Sequence, residues 1–276
     1  MSRIRTDLAL EIKESLPDEE IIDGVELITK NYKNGKIKET IIKITNDKGA
    51  ITIGKPIGTY ITIESKMLRE TDDTIYEPIV NILHKTIKKF VGNKKKIMVV
   101  GLGNREVTPD SLGPKVIDNL YVTRHLLREG IVKDVKEISA VCPGVMAQTG
   151  IETQAFLKSI CRDIRPEIVI VVDALAAVEA VRLNSTIQIC DTGISPGSGV
   201  GNNRSKINEE TIGVKVVAVG VPTVISMSAL LSQFNIDVFD ISTDLASMFV
   251  TPKNIDESVK RVSYTISEAI NRFFEF

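Results

Sequence analysis

Lys96-Ile-Met-Val-Val-Gly-Leu-Gly-Asn-Arg-Glu-Val-Thr-Pro-Asp-Ser-Leu-Gly-Pro114 decides the fold. Ile97 to Val100 is a short apolar run closed by glycine, the pattern of a strand buried on both faces of a parallel sheet. Gly101-Leu-Gly103-Asn104 reads as a tight turn, and the loop beyond it carries Asp110 to the start of a helix. Open α/β sheets collect ligands and chemistry at the carboxyl ends of their strands. Asp110 is therefore a candidate by position. A second apolar run, Ile168-Val-Ile-Val-Val172, ends directly in Asp173. Two strands that each lead into an aspartate are the main chemical signal of the chain.

Working outward, the same alternation of strand and helix continues on the carboxyl side. A helix is expected from Pro114 to about Arg128 with Gly130 as its cap, then a strand Glu137–Val141, a glycine loop 142–150 and a helix from Glu152 to Arg162. Past Asp173 the spacing predicts a short helical segment through Val181. A strand Thr186–Cys190, a glycine-rich loop 191–203 and a core strand Val214–Val219 follow. Gly220-Val-Pro222-Thr223 then leads into a further helix, and residues 254–273 form an amphipathic closing helix. Such alternation implies a mostly parallel sheet covered by helices on both faces.

On the amino side the period changes to two. Val25–Ile28, Ile37–Ile44, Ala50–Ile53 and Thr59–Ile63 read as strands, with Asn34-Gly35 and Asp47-Lys-Gly49 as turns, so residues 24–64 are expected to form an antiparallel hairpin or meander. Asp72-Asp73 opens a helix whose last turn is basic, as the helix dipole favours.

Bulk properties narrow the function. The chain has 276 residues, 43% of them apolar, and a formal charge of -1, so no overall field draws it to nucleic acid or to a membrane. Lys94-Lys95-Lys96 lacks interleaved aromatics and reads as a solvated turn. No stretch has the ~20 apolar residues of a spanning helix, and the first residues have no signal region. A cytoplasmic protein is expected. The three cysteines, Cys142, Cys161 and Cys190, make neither a disulfide framework nor a zinc pattern, and two histidines, His84 and His125, cannot build a His-rich metal site.

Paired carboxylates can hydrolyse an amide when one is ionised and activates water while the other is protonated and polarises the carbonyl. Like charges at close range drive the two titrations apart. On pattern alone a plainer reading of the pair stands beside this one, with Asp110 a helix N-terminal acid and Asp173 a cap after its strand. The loop 191–203, with Gly193, Gly197, Ser198 and Gly199, lets a substrate backbone approach closely, or presents N–H groups as an oxyanion hole, or is a surface loop. Gly101-Leu-Gly103 fails the dinucleotide fingerprint because Glu106 stands where the third glycine belongs, and no phosphate loop exists. No cofactor is implied. Cys142 lacks a paired base in the sequence, Ser198 lacks a nucleophile-elbow context, and His125 reads as a structural histidine.

These residues resemble a known family, the germination proteases of spore-forming bacteria. The matching runs are Val100-Gly-Leu-Gly-Asn104, Val107-Thr-Pro-Asp-Ser-Leu-Gly-Pro114, Val122-Thr-Arg-His-Leu126, Pro143-Gly-Val-Met146, Thr149-Gly-Ile-Glu-Thr153, Val172-Asp-Ala-Leu-Ala-Ala177 and Asn184-Ser-Thr-Ile-Gln-Ile189. They continue through Asp191-Thr-Gly-Ile194, Pro196-Gly-Ser-Gly-Val-Gly-Asn202, Gly220-Val-Pro-Thr-Val224 and Val250-Thr-Pro-Lys253. The resemblance implies an endopeptidase that degrades small acid-soluble spore proteins at germination, with Asp110 and Asp173 as the catalytic aspartates. It implies an α/β/α sandwich similar to that of the hydrogenase-maturation endopeptidases. It also implies a homotetramer in the spore core, no resident metal, and no direct contact with DNA.

The family is made as a zymogen and cuts its substrates within Glu-Ile/Phe-Ala-Ser-Glu, after the first acid. Asp7-Leu8-Ala9-Leu10-Glu11 has the same order of acid, large apolar, alanine, any residue and acid. Self-cleavage between Asp7 and Leu8 is therefore expected, with residues 1–7 as the propeptide, residues 8–276 as one catalytic domain, and the chain from Met1 as the precursor. This leader is shorter than in well-known members, and the segment between Val224 and Val250 is shorter than in longer members, which carry an insertion there. Two further readings remain open: a metal-dependent endopeptidase of the hydrogenase-maturation type, and a non-enzymatic module in which the aspartates fix loops around a ligand.

Overall fold

The computed structural model describes residues 6–16, 22–70, 73–201, 204–234 and 243–274. Among the described residues nine strands form one sheet: β1 Val25–Tyr32, β2 Ile37–Ile44, β3 Gly58–Glu64, β4 Lys96–Gly101, β5 Glu137–Val141, β6 Ile168–Ala177, β7 Thr186–Cys190, β8 Val216–Ser226 and β9 Phe249–Val250. Their order is β1-β2-β3-β7-β8-β6-β4-β5, with β9 on the end of β8. The strands β5, β4, β6 and β8 run parallel. The rest pair antiparallel, and β3 joins the amino-terminal meander to β7 in the same sheet. The fold is thus α/β as expected, with its parallel strands gathered in the half that carries the two aspartates.

The period of two builds three layers. Ile97, Val99, Ile168, Ile170 and Val172 point to one face, where the helices Asp73–Val91, Leu112–Asp118 and Ile255–Asn271 cover them. Met98, Val100, Val169 and Val171 point to the other, against Leu157 and Cys161 of the helix Thr153–Ile164. Both faces of each central strand are dry, which is why the strands read as unbroken apolar runs.

Three local expectations are corrected. Residues 47–53 form a helix instead of a turn and a strand. Asn46 caps it by accepting from the Gly49 amide at 2.9 Å, and Gly54 closes it in the left-handed region. The three-residue spacing puts Ala50 and Ile53 on the packed face and leaves Ile51 exposed, whereas a strand would bury Ile51 and Ile53 together.

The helix expected from Pro114 to Arg128 breaks into Leu112–Asp118 and Arg124–Arg128. Tertiary hydrogen bonds compete for the backbone between them. The buried Thr123 hydroxyl donates to the Lys136 carbonyl at 2.6 Å and accepts from the Ile138 amide at 2.7 Å. The Asn271 side chain accepts from the Tyr121 amide and donates to the Asn119 carbonyl.

The third correction matters most for function. β6 does not end at Asp173, and no helix follows directly. Residues 173–177 pair with Gly220–Ile225, so β6 and β8 both run on past their expected ends, with a register shift between Leu175 and Ala176 where Pro222 is accommodated. Only then do a single turn Ala180–Arg182 and the helix Met227–Ser232 begin.

Because Asn46 supplies the cap of the unforeseen helix, Asn46→Ala should lower folding stability by about 1 kcal/mol, read as a reduced urea midpoint at unchanged slope. An unchanged midpoint would mean that packing of Ile53 alone holds the helix.

Candidate active site

The pairing of β4 with β6 stops at Gly101 and Val172. Asp173 is the next residue, so it sits where β6 begins to overhang its neighbour. Asp110 is brought back to the same point by the loop after β4. Gly103 has φ +113°, and a Cβ there would lie 1.9 Å from the Asp110 carbonyl oxygen, so only glycine lets the loop fold back this closely. The Asp110 carboxylate accepts from the Asn104 amide at 2.7 Å, and that of Asp173 accepts from the Ala174 amide at 3.0 Å.

Both aspartates line one cavity of about 490 Å³, together with Gly103, Gly197, Arg204 and Asp7. Burial pushes the Asp173 carboxyl well above the usual carboxylate range, and the charges of Asp110 and Asp7 push the same way. The Ala174 amide and Arg204 oppose them. Burial also raises Asp110, against the Asn104 amide and Arg204. Asp173 is 5% exposed and Asp110 half-buried, so Asp173 has the stronger preference for its proton. A cavity holding one acid that keeps its proton and one that releases it more readily can carry out general acid–base chemistry.

Asp7 enters this cavity from the amino-terminal segment. Its amide donates to the Ala176 carbonyl at 3.2 Å, and its carboxylate accepts from the Ala176 amide at 3.0 Å and from the Ser198 hydroxyl at 2.6 Å. A Cβ on Gly199 would lie 2.2 Å from the same carboxylate, so the missing side chain makes room for it. The Asp7 carbonyl accepts from Lys55 Nζ at 3.1 Å and Gln188 Nε2 at 3.2 Å. Leu8 is fully buried against Leu175, Ala177, Leu183, Ile225 and Ala229. The Ala9 amide donates to Gln188 Oε1 at 2.8 Å.

Glu11 accepts from the amides of Val178 at 3.0 Å and Glu179 at 2.9 Å. The buried Arg182 guanidinium lies 3.7 Å from Glu11, donates to Glu64 at 2.8 Å and Glu179 at 3.0 Å, and also pairs with Glu14. Burial outweighs that cation for Glu11 and Glu14, whose carboxyls are both held above their ordinary values.

Of the residues singled out in the sequence, Asp7, Asp110, Asp173, Gly197, Ser198 and Gly199 come together. Gly193 lines the neighbouring cavity that also touches Asp7 and Ser198; beside it Ile194 bridges Ile207, and a Cβ on Gly193 would strike the Ile207 carbonyl. His125 is exposed on its helix, and burial raises the Cys142 thiol against the pull of Arg105. Met1 to Arg5 of the expected leader, Asp72, and Asn202-Asn203 of the glycine loop lie outside the described residues. Sequence reasoning missed Lys55, Gln188, Arg182 and Arg204. The one available signal was Gln188, a lone amide in the otherwise apolar centre of Thr186–Cys190. Among the described residues no three His, Cys, Asp or Glu side chains form a group that could hold a metal ion.

A buried acid and a half-buried one beside a docked acidic peptide segment make an arrangement of the peptidase class. The family model described as germination protease matches residues 5–241. The germination protease of Clostridium tetani is 37% identical, covering 97% of this chain and 94% of its own. That of Caldanaerobacter subterraneus subsp. tengcongensis is 39% identical, over 97% and 93%. That of Bacillus subtilis is 41% identical over 83% of this chain and 65% of its own. A solved structure, the [NiFe] hydrogenase maturation protease HycI from Thermococcus kodakarensis KOD1, covers 67% of this chain and 98% of its own at 17% identity, with a TM-score of 0.40. The chain belongs to the germination protease family. It is a spore-germination endopeptidase. Among the described residues no helix is long and apolar enough to cross a membrane.

The burial of Asp173 carries a pH signature. Its folded-state pKa lies well above the unfolded value of about 3.9, so between the two values the folded state binds more protons than the unfolded one. The stability cost is absent below pH 4 and grows as pH rises through the folded-state pKa. Asp173→Asn, which cannot ionise, should melt above wild type at pH 8, with the gap closing towards pH 4. Calorimetry across that range decides it, and a gap independent of pH would contradict the account.

Proposed function

We propose that Asp110 and Asp173 are the catalytic pair and that the segment around Asp7-Leu8 is the enzyme's own first substrate. The observation that carries this reading is the place of Asp7: it lines the cavity of both aspartates, its carboxylate is held by the Ala176 amide, and Leu8 beside it fills a buried apolar pocket. Asp110, the acid more ready to ionise, takes a proton from water as the water attacks the Asp7 carbonyl carbon. Asp173, the acid that holds its proton, protonates the departing Leu8 nitrogen. Residues 1–7 are then a propeptide and the matured chain starts at Leu8.

The two acids of Asp7-Leu8-Ala9-Leu10-Glu11 have separate receptors. Ser198, the Ala176 amide and the space left by Gly199 take the first; the Val178 and Glu179 amides with Arg182 take the second. These sites suit small acid-soluble spore proteins, whose family cleavage pattern has acids at the same two places. After the cut, residues 8–16 still occupy the groove beyond the scissile bond and must vacate it before a spore protein binds. The homotetramer and the spore-core location belong to the same reading, with no direct role for nucleic acid.

N-terminal sequencing of incubated full-length protein should find Leu8 as the new first residue. Asp110→Asn and Asp173→Asn should each slow that cut by at least about 100-fold and abolish digestion of a small acid-soluble spore protein by the Leu8-start chain. Chelator should change neither rate. Full-rate cutting by either Asn variant would remove that residue from the pair. Loss with chelator and recovery with one divalent metal would favour the metal-dependent reading instead. Sedimentation equilibrium should give the mass of four chains; a monomer would remove the tetramer from this account.

A further inference from the structure

Asp7 forms a wall shared by two cavities. One holds Asp110 and Asp173; the other, about 270 Å³, is lined by Lys55, Gln188, Cys190 and Lys206 among others. The carbonyl oxygen of Asp7 is gripped by donors of the second cavity, Lys55 Nζ at 3.1 Å and Gln188 Nε2 at 3.2 Å. Neither donor belongs to the aspartate pair. Together they do what a carbonyl under attack requires, since two preorganised donors on the oxygen stabilise the negative charge that develops there.

We propose that Lys55 and Gln188 are the oxyanion-stabilising residues of this peptidase. The proposal rests on reading Asp7–Leu8 as the bond cut by the aspartates. As the water oxygen bonds to the Asp7 carbon and its proton passes to Asp110, the C=O π electrons move onto the carbonyl oxygen, which becomes an oxyanion facing Lys55 and Gln188. The pair returns as the C–N bond breaks and the Asp173 proton goes to the Leu8 nitrogen. Lys55 and Gln188 keep their own protons throughout. This division leaves polarisation of the carbonyl to them and frees Asp173 to serve the leaving group.

Both donors are well placed for the task. Gln188 is 7% exposed and lies on β7 between β3 and β8, opposite Thr62 and Gly220. Its amide is used at both ends, since Nε2 donates to the Asp7 carbonyl and Oε1 accepts from the Ala9 amide. That bracket spans Leu8 and holds the bond on either side, which pins the carbonyl in one orientation. Lys55 follows the left-handed Gly54 that ends the helix Asp47–Ile53. Burial pulls its ammonium below the ordinary lysine value, and the charges of Asp7, Cys190 and Glu11 oppose that pull. A half-desolvated cation interacts with an adjacent oxyanion more strongly than a hydrated one does.

The test separates chemistry from seating. Steady-state kinetics of the matured enzyme on a peptide with an Asp–Leu bond, and single-turnover self-cleavage of the full chain, would be measured for wild type, Lys55→Met, Lys55→Arg and Gln188→Met, with Asp173→Asn alongside. We expect Lys55→Met to lower kcat by about 100- to 1000-fold, the usual effect of losing one such donor, with KM changed less than about threefold. Lys55→Arg should recover most of the loss, and Gln188→Met should lower kcat by at least about 10-fold. Should Lys55→Met fail to fold, Lys55→Arg and Gln188→Met carry the test. Wild-type kcat in a folded Lys55→Met or Gln188→Met, or a loss confined to KM, would overturn the assignment and leave these residues as clamps on the segment. If wild type cuts elsewhere than Asp7–Leu8, the underlying reading of the bond fails, and this proposal with it. If wild type cuts there and only the Asp173 variant is impaired, this proposal fails alone.

Discussion

The pairing of residues 173–177 of β6 with Gly220–Ile225 of β8 is the interaction on which the site depends. β4 stops one residue earlier in register, and two strands continue without it. The overhang keeps Asp173 inside the sheet, where water is scarce, and carries on into the amides of Ala176, Val178 and Glu179. Those amides are the receptors of Asp7 and Glu11. Had β6 turned into a helix after Asp173, as its Ala-Leu-Ala-Ala sequence invites, the amides of Val178 and Glu179 would have been spent within that helix.

Burial then makes two like residues unlike. Asp173 is enclosed by the sheet, Asp110 is on a loop, and Arg204 attends both. Desolvation favours the neutral form of each, but a charge on one opposes a charge on the other, and the deeper acid keeps the proton. The asymmetry therefore arises from position in the sheet, without any difference in residue type. It is held at a cost in stability near neutral pH, as is common where a fold supports chemistry.

The amino-terminal segment is held by a different balance. Leu8, Ala9 and Leu10 bury apolar surface, while Arg182 collects Glu11, Glu14, Glu64 and Glu179 around one guanidinium. A cation in that position is hard to replace, because its loss would leave several partly buried acids without compensation. The apolar contacts supply binding, and the two acids set the register at which Asp7 meets the aspartates.

The central strands, the aspartates that follow them and the glycine turn were legible in the sequence from local signals: continuous apolar runs and glycine beside a folded-back loop. The Asp7–Glu11 pattern was legible only through its resemblance to the cleavage pattern of the family's substrates. Three things were not legible. The helix Asp47–Ile53 looked like a strand because apolar residues two apart fit a strand and those three apart a helix, and only the packing of Ile53 with exposure of Ile51 distinguishes them. The extension of β6 came from β8, some fifty residues away, and not from local propensity. Lys55 has no neighbour in sequence that marks it, and the apolar setting of Gln188 does not say what its amide meets. They meet the Asp7 carbonyl because β3, β7 and the segment before the first strand converge in space. The sequence alone thus determined which strands are buried and which acids follow them. The tertiary structure alone decided which acid holds its proton more strongly and which groups face the Asp7 carbonyl, because desolvation and convergence belong to the packed chain.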